Sequence, residues 1–220
     1  MTVNNPTQLG GFWSRLKIQS MDWALLSATV SSRTESGETI TAARGTRLWS
    51  GSVTLAPMYH RDAAAIKAPL QLLAGADRSF FCHPPVWSPS VDPGGAIIAG
   101  YSPTIAGIAA DRIQMRIANL PPLYRLRTGE YLSFAYGSNP TRYALHQIMG
   151  DDPIADAVTR QTGLFEVRPA IRPGATVGAS VTLYKPVIRA QLIRDSISYG
   201  TAQGAVTTGI SFSFIQTLRG

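Results

Sequence analysis

Three histidines, one cysteine and one acidic loop are the residues whose types could do chemistry, and their spacing decides what chemistry that would be. Cys82 and His83 are neighbours, and an imidazolium beside a thiol would lower its pKa and make a nucleophile. Adjacent residues of an extended strand point to opposite faces, so the pair cannot touch if Ser79 to His83 is a strand. Cys82 is then expected to share a buried or interfacial face with Phe80, while Phe81 lies with His83 on the other. His60, His83 and His146 are too far apart for a local metal motif, and neither H-x-x-x-H nor H-E-x-x-H occurs. A single cysteine excludes an intramolecular disulfide and a cysteine zinc site built from one chain.

Asp151, Asp152 and Asp156 in D-D-P-I-A-D offer hard oxygen ligands, yet the run lacks the Gly and terminal Glu of an EF-hand loop. It reads as a solvated loop. Gly10-Gly11 and Gly94-Gly95 are not followed by the Lys and Ser/Thr that contact phosphate and metal. The residues therefore predict no catalytic site, no cofactor and no bound metal.

The elements that would carry these residues are mostly strands. From Thr46 to Leu55 the chain alternates, with Trp49, Gly51, Val53 and Leu55 on one face and Ser50, Ser52 and Thr54 on the other. Pro57 ends that ladder, and Asp62 is placed to cap a helix over 61–74 by accepting from its free amides. Ile66, Leu70 and Leu73 form one helical stripe, Gly75 suits the left-handed position that ends a helix, and Pro69 predicts a kink or a restart. A Phe-rich strand follows at 79–83. The polar stretch S-S-R-T-E-S-G-E-T reads as hairpin-like, with Ser36-Gly37 offering a turn between strands, and the segment 84–95, dense in Pro and Gly, reads as a linker.

Beyond it, short strands recur at 112–117, 130–136, 142–149 and 163–169, a spacing that suggests a small barrel or sandwich. The closing segment alternates Ile210, Phe212 and Phe214 against Ser211, Ser213 and Ile215, and a two-faced strand of this kind needs a sheet to complete. The first unit lacks strands. The expected fold is mainly β, with a discontinuous β-sandwich domain over 1–90 and 186–220 and a β-barrel-like domain inserted over 100–185.

This order of strand, helix, Gly and Phe-rich strand resembles the N-terminal part of the distal tail proteins of long-tailed (siphovirus-like) bacteriophages and tail-like particles. The matching residues are W-S-G-S-V-T-L-A-P-M at 49–58, R-D-A-A-A-I-K-A-P-L-Q-L-L-A-G at 61–75 and S-F-F-C-H-P-P at 79–85. L-R-T-G-E-Y-L-S-F at 126–134 and G-I-S-F-S-F-I-Q-T-L at 209–218 also look like that family. The resemblance implies a structural protein of the virion tail tip, made in the host bacterial cytoplasm, whose ring domain carries an outer inserted domain. Its partners would be copies of itself, in a homohexamer or a trimer, the tail tube protein, and tip hub, baseplate or fibre proteins. Host-surface carbohydrate would be a target of the inserted domain.

Trp13, Trp23 and Trp49, with Val53 and Leu55, are the candidate subunit-interface residues, because aromatics supply large contact area at little entropy cost. For these tryptophans and for Trp87 the competing assignment is the core. Two other classes stay open: a tail-tip peptidoglycan hydrolase using Cys82 or the acidic loop, and a carbohydrate-binding module acting alone as a monomer.

Composition narrows the field further. The chain of 220 residues is 45% hydrophobic and only 15% charged, which favours a folded core over disorder. Its net charge of +7 comes from dispersed, mostly Arg side chains without a basic run, a pattern suited to subunit contacts and not to a dedicated nucleic-acid surface. The first residues lack the basic and then apolar order of a signal peptide, and no stretch reaches the roughly 18 apolar residues of a membrane span.

Overall fold

The computed structural model describes residues 5–26, 29–33, 35, 37–43, 46–150 and 152–219. In chain order the strands are β1 (Ile18–Leu25), β2 (Thr29–Arg33), β3 (Thr39–Ala43), β4 (Trp49–Leu55) and β5 (Met58–Tyr59), then helix α1 (His60–Leu73) and β6 (Phe80–Cys82). There follow β7 (Thr104–Ile108), β8 (Gln114–Ala118), β9 (Tyr131–Tyr136), β10 (Arg142–Met149), β11 (Phe165–Arg168), β12 (Val181–Thr182), β13 (Ile188–Gln203) and β14 (Val206–Gln216). The protein is mainly β with one short helix, as its alternation predicts. It divides into two compact units, one of Met1–Phe80 with Ala190–Thr217, the other of Phe81–Arg189 with Leu218–Gly220.

The first unit is a six-stranded sheet in the order β1-β4-β14-β13-β6, with β5 also on β14. The late strand β14 supplies the partner that β4 needs: Phe212 lies opposite Val53 and Phe214 opposite Gly51. Their common face is closed by α1, which lies against β14 and β5, and by Phe12 and Trp13 from two short 3-10 turns. Phe12 meets Phe80 edge-on at 5.3 Å and Trp13 meets Phe214 edge-on at 5.5 Å, the geometry in which aromatic quadrupoles attract.

In α1 the stripe is buried as predicted, through Ala63, Ile66, Leu70 and Leu73, but the ends differ. Tyr59 occupies the cap position without a side-chain bond. Asp62 is the third helical residue, past the capping position, and pairs instead with Lys17 at 3.4 Å on the surface. Its carboxylate still favours the positive end of the helix dipole. The helix runs through Pro69 without restarting, because the carbonyl that loses its bond belongs to exposed Ala65 and water can satisfy it. Gly75 is not left-handed: the amides of Ala74 and Gly75 already donate to the carbonyls of Leu70 and Leu72, and the positive φ, 60°, falls on Asp77.

The hairpin expected in the polar N-terminal stretch is present, whereas the ribbon that extends β13 and β14 had no clear sequence signal. Strands β2 and β3 form a hairpin paired, among the described residues, with no other strand; Ser36, expected at its turn, lies outside the described residues. Beyond the last β4 pair at Ser211, β13 and β14 continue as a ribbon to their turn. Gly200 shapes it, with φ at +70° and a Cβ site only 2.4 Å from the Thr208 carbonyl oxygen.

The second unit is a sheet in the order β12-β9-β10-β11-β8-β7 that closes on itself. Thr104 on β7 bridges Ser180 beside β12, and the Ile105 and Val181 amides donate to the Ala179 and Pro103 carbonyls at 2.9 and 2.8 Å. Closure removes both edges. Met115, Ile117, Leu132, Phe134, Ile148 and Val167 fill the interior.

The segment 84–95, expected to be a linker, is part of this second unit. Buried Glu130 accepts from the Ser90 amide at 2.6 Å and the Ser90 hydroxyl at 2.7 Å. Buried Asp92 accepts from the Ile98 amide at 2.9 Å, and the Lys185 amide donates to the Trp87 carbonyl at 2.7 Å. The Pro and Gly residues serve turns that two carboxylates fix from within.

Candidate functional site

Among the described residues, Cys82, the histidines and the acidic loop each have a structural occupation. Cys82 is wholly buried, and burial pushes its thiol pKa well above the ordinary value, the opposite of what a nucleophile needs. Phe81, on the face opposite Cys82, is also buried and meets Tyr143 edge-on at 4.8 Å. Both faces of β6 are covered. Cys82→Ser is therefore expected to leave the fold intact and to cost about 1–3 kcal/mol, the penalty of a buried, unpaired hydroxyl. Labelling kinetics with a thiol reagent check the assignment: modification should follow unfolding, and rapid labelling of the native chain would refute it.

His60 pins the ribbon. Its Nε2–H donates to the Gly204 carbonyl at 2.8 Å, so in the neutral ring Nδ1 accepts from the Thr207 hydroxyl at 2.9 Å. His83 is half-buried with Nδ1 donating to the Pro84 carbonyl at 3.0 Å; burial, and secondarily the Lys185 charge, lower its pKa.

In the acidic loop, Asp151 lies outside the described residues. Asp152 accepts from the Thr128 amide at 2.8 Å and pairs with Arg127 at 3.4 Å, while Asp156 accepts from the Val158 and Thr159 amides at 2.9 and 2.7 Å. Those amide bonds hold both carboxyls below the usual range; the Asp156 bonds close a local turn, and the Asp152 bond ties the loop to Thr128. Among the described residues no three His, Cys, Asp or Glu side chains gather as metal ligands would.

The proposed interface residues separate into two groups. Trp13, Val53 and Leu55 are 1% exposed and Trp49 3%, so these four belong to the interior of the first unit. The alternation of β4 suits an interface as well as a core, but β4 lies between β1 and β14 and has no free edge. Trp23 is different. It lies on β1, the end strand of the sheet among the described residues, packed at 6.1 Å from Trp49 and 5.4 Å from Phe214, and remains half-exposed.

Met21 and Leu25, on the same side of β1, are also half-exposed, and Leu26 beyond them is 44% exposed. An unpaired strand edge beside a partly covered apolar row is an adhesive combination that monomeric proteins usually blunt. Next along the chain is the β2–β3 hairpin, and an isolated two-stranded hairpin is marginally stable in water without a surface to pair with. These elements, consecutive in the chain, form the candidate site. Sequence reasoning named Trp23 within it and expected the hairpin, but missed Met21 and Leu25, since edge position is not written in alternation.

No family model matches the chain, and no curated protein matches it. Among the described residues no helix is long and apolar enough to cross a membrane.

Proposed function

We propose that this chain is a non-enzymatic structural protein of a phage-type tail tip, a ring former of the kind its sequence resembles. The observation that carries the reading is the edge of β1, with Met21, Trp23 and Leu25 half-covered in the single chain, followed in the chain by the β2–β3 hairpin, which pairs with no other strand among the described residues. A second copy docking on that edge would complete the pairing and bury the row. Repetition of such a head-to-tail contact closes a ring, sixfold in the resembling family with threefold as the other closure.

In this reading the ring joins the tail tube on one side to tip hub, baseplate or fibre proteins on the other. The inserted barrel presents a surface toward the host, with carbohydrate as the class of target. The chain would be made in the host bacterial cytoplasm and reside at the virion tail tip.

Negative-stain images and sedimentation of the purified chain test this directly. Rings with countable subunits are expected, and Leu26→Glu, at a position 44% exposed in the single chain, should shift them toward monomers with little change in melting temperature. A folded monomer at tens of micromolar would overturn the reading. Cleared peptidoglycan in a zymogram would place the chain among hydrolases, and a monomer that binds glycans would make it a stand-alone carbohydrate module.

A further inference from the structure

His146 sits inside the barrel of the second unit. On β10 it lies between Ala144 and Ile148, which line the barrel interior, and it pairs across to Leu132 on β9. Its ring stacks on Phe134 at 5.2 Å with 13° between planes. Nδ1–H donates to the Pro169 carbonyl at 2.7 Å, which fixes the neutral tautomer and turns the Nε2 lone pair inward. Nε2 is buried without a hydrogen-bond partner.

Arg172, from the loop after β11, is the charge that acts on this ring. The carboxylates of the adjoining strands are engaged elsewhere: Glu166 pairs with Arg168 at 2.6 Å, and Glu130, at the start of β9, accepts from Ser90 and from the Arg127 amide. A proton added at Nε2 would find no acceptor and a neighbouring cation.

We propose that His146 makes the barrel of the second unit an acid-sensitive element, which opens when its buried imidazole takes up a proton while the sheet of the first unit stays folded. The sign follows from linkage. Burial, against the Pro169 bond and with Arg172, holds the folded ring at about 4, whereas an unfolded histidine titrates near 6.5. Between those values the unfolded barrel binds the extra proton, so stability is complete above about pH 6.5 and is lost as pH falls toward 4. Across that window the His146 contribution approaches a 300-fold change in the folding constant, up to about tenfold for each pH unit. His83, whose pKa is also lowered, adds to the slope in the same direction, so the control must isolate His146.

The test follows hydrogen exchange of the full-length chain by mass spectrometry at pH 7.5, 6 and 5, corrected for intrinsic rates, beside NMR titration of the ring. Protection in β9 and β10 should fall with pH before protection in β4 and β14, and the His146 ring should stay neutral to about pH 4. His146→Phe, which keeps an aromatic ring against Phe134, should flatten most of the barrel's pH dependence. A ring that protonates near 6.5 in the folded chain, or a Phe variant with the wild-type slope, would overturn the proposal. If the Phe variant does not fold, the ring titration of the wild-type chain decides alone.

Discussion

Truncating Phe214 to Ala is expected to be the most damaging single change in the first unit, costing about 3–5 kcal/mol. Phe214 is fully buried on β14, between Trp13 at 5.5 Å, Trp23 at 5.4 Å and Phe80 at 6.2 Å, so no neighbour can swing in to fill its place without leaving another ring uncovered. The ring also explains Gly51. A Cβ at that position would stand 2.7 Å from Phe214 Cζ and 2.4 Å from the Asp22 carbonyl oxygen.

Gly51→Ala therefore clashes with a ring, which can yield, and with the backbone of β1, which cannot yield without moving the edge strand. Overpacking of this kind costs about 1–3 kcal/mol and sometimes more. Combining it with Phe214→Leu should relieve only the first clash, leaving most of the Gly51→Ala cost in place. Denaturant unfolding followed by tryptophan fluorescence weights this unit, because three of the four tryptophans, Trp13, Trp23 and Trp49, lie in it, and a Trp87→Phe background removes the fourth. A loss below about 1 kcal/mol for Phe214→Ala would mean that the cluster repacks and that the aromatic layer is not the core.

The sheet was legible where local alternation and burial coincide. β4, β14 and the four middle strands of the barrel fall within a few residues of their expected places, since each carries its apolar face in its own sequence. Edge position was not legible, because it depends on which strands arrive from distant parts of the chain. Trp49 and Trp23 read alike in sequence, but β14 pairs on the far side of β4 while, among the described residues, no strand pairs on the far side of β1.

The apparent linker failed for a related reason. Its Pro and Gly content describes turns correctly, but Glu130, 40 residues from Ser90, fixes those turns, and no composition rule contains that contact. His146 was equally opaque. A histidine among apolar residues in a strand reads as a satisfied or surface residue, and only the closed barrel shows that one nitrogen is bonded and the other is not.

Leu70→Ala is the other change expected to cost much, about 2–5 kcal/mol. The side chain is fully buried in the middle of the stripe that α1 lays on the sheet, between Ile66 and Leu73. The cost falls toward the upper end if the helix cannot settle into the cavity, and two observations limit that movement. Pro69 precedes Leu70 and fixes its own φ, which restricts local readjustment of the helix. At its N-terminal end, His60 ties α1 to the ribbon turn through Gly204 and Thr207. Leu72→Ala is the control, because Leu72 is 38% exposed on the opposite side and its loss should stay within about 0.5–1 kcal/mol. Paired denaturation curves decide the matter: equal midpoints for the two variants would place Leu70 in solvent and detach α1 from the sheet, whereas a large gap requires the stripe to be the lid of the first unit's core.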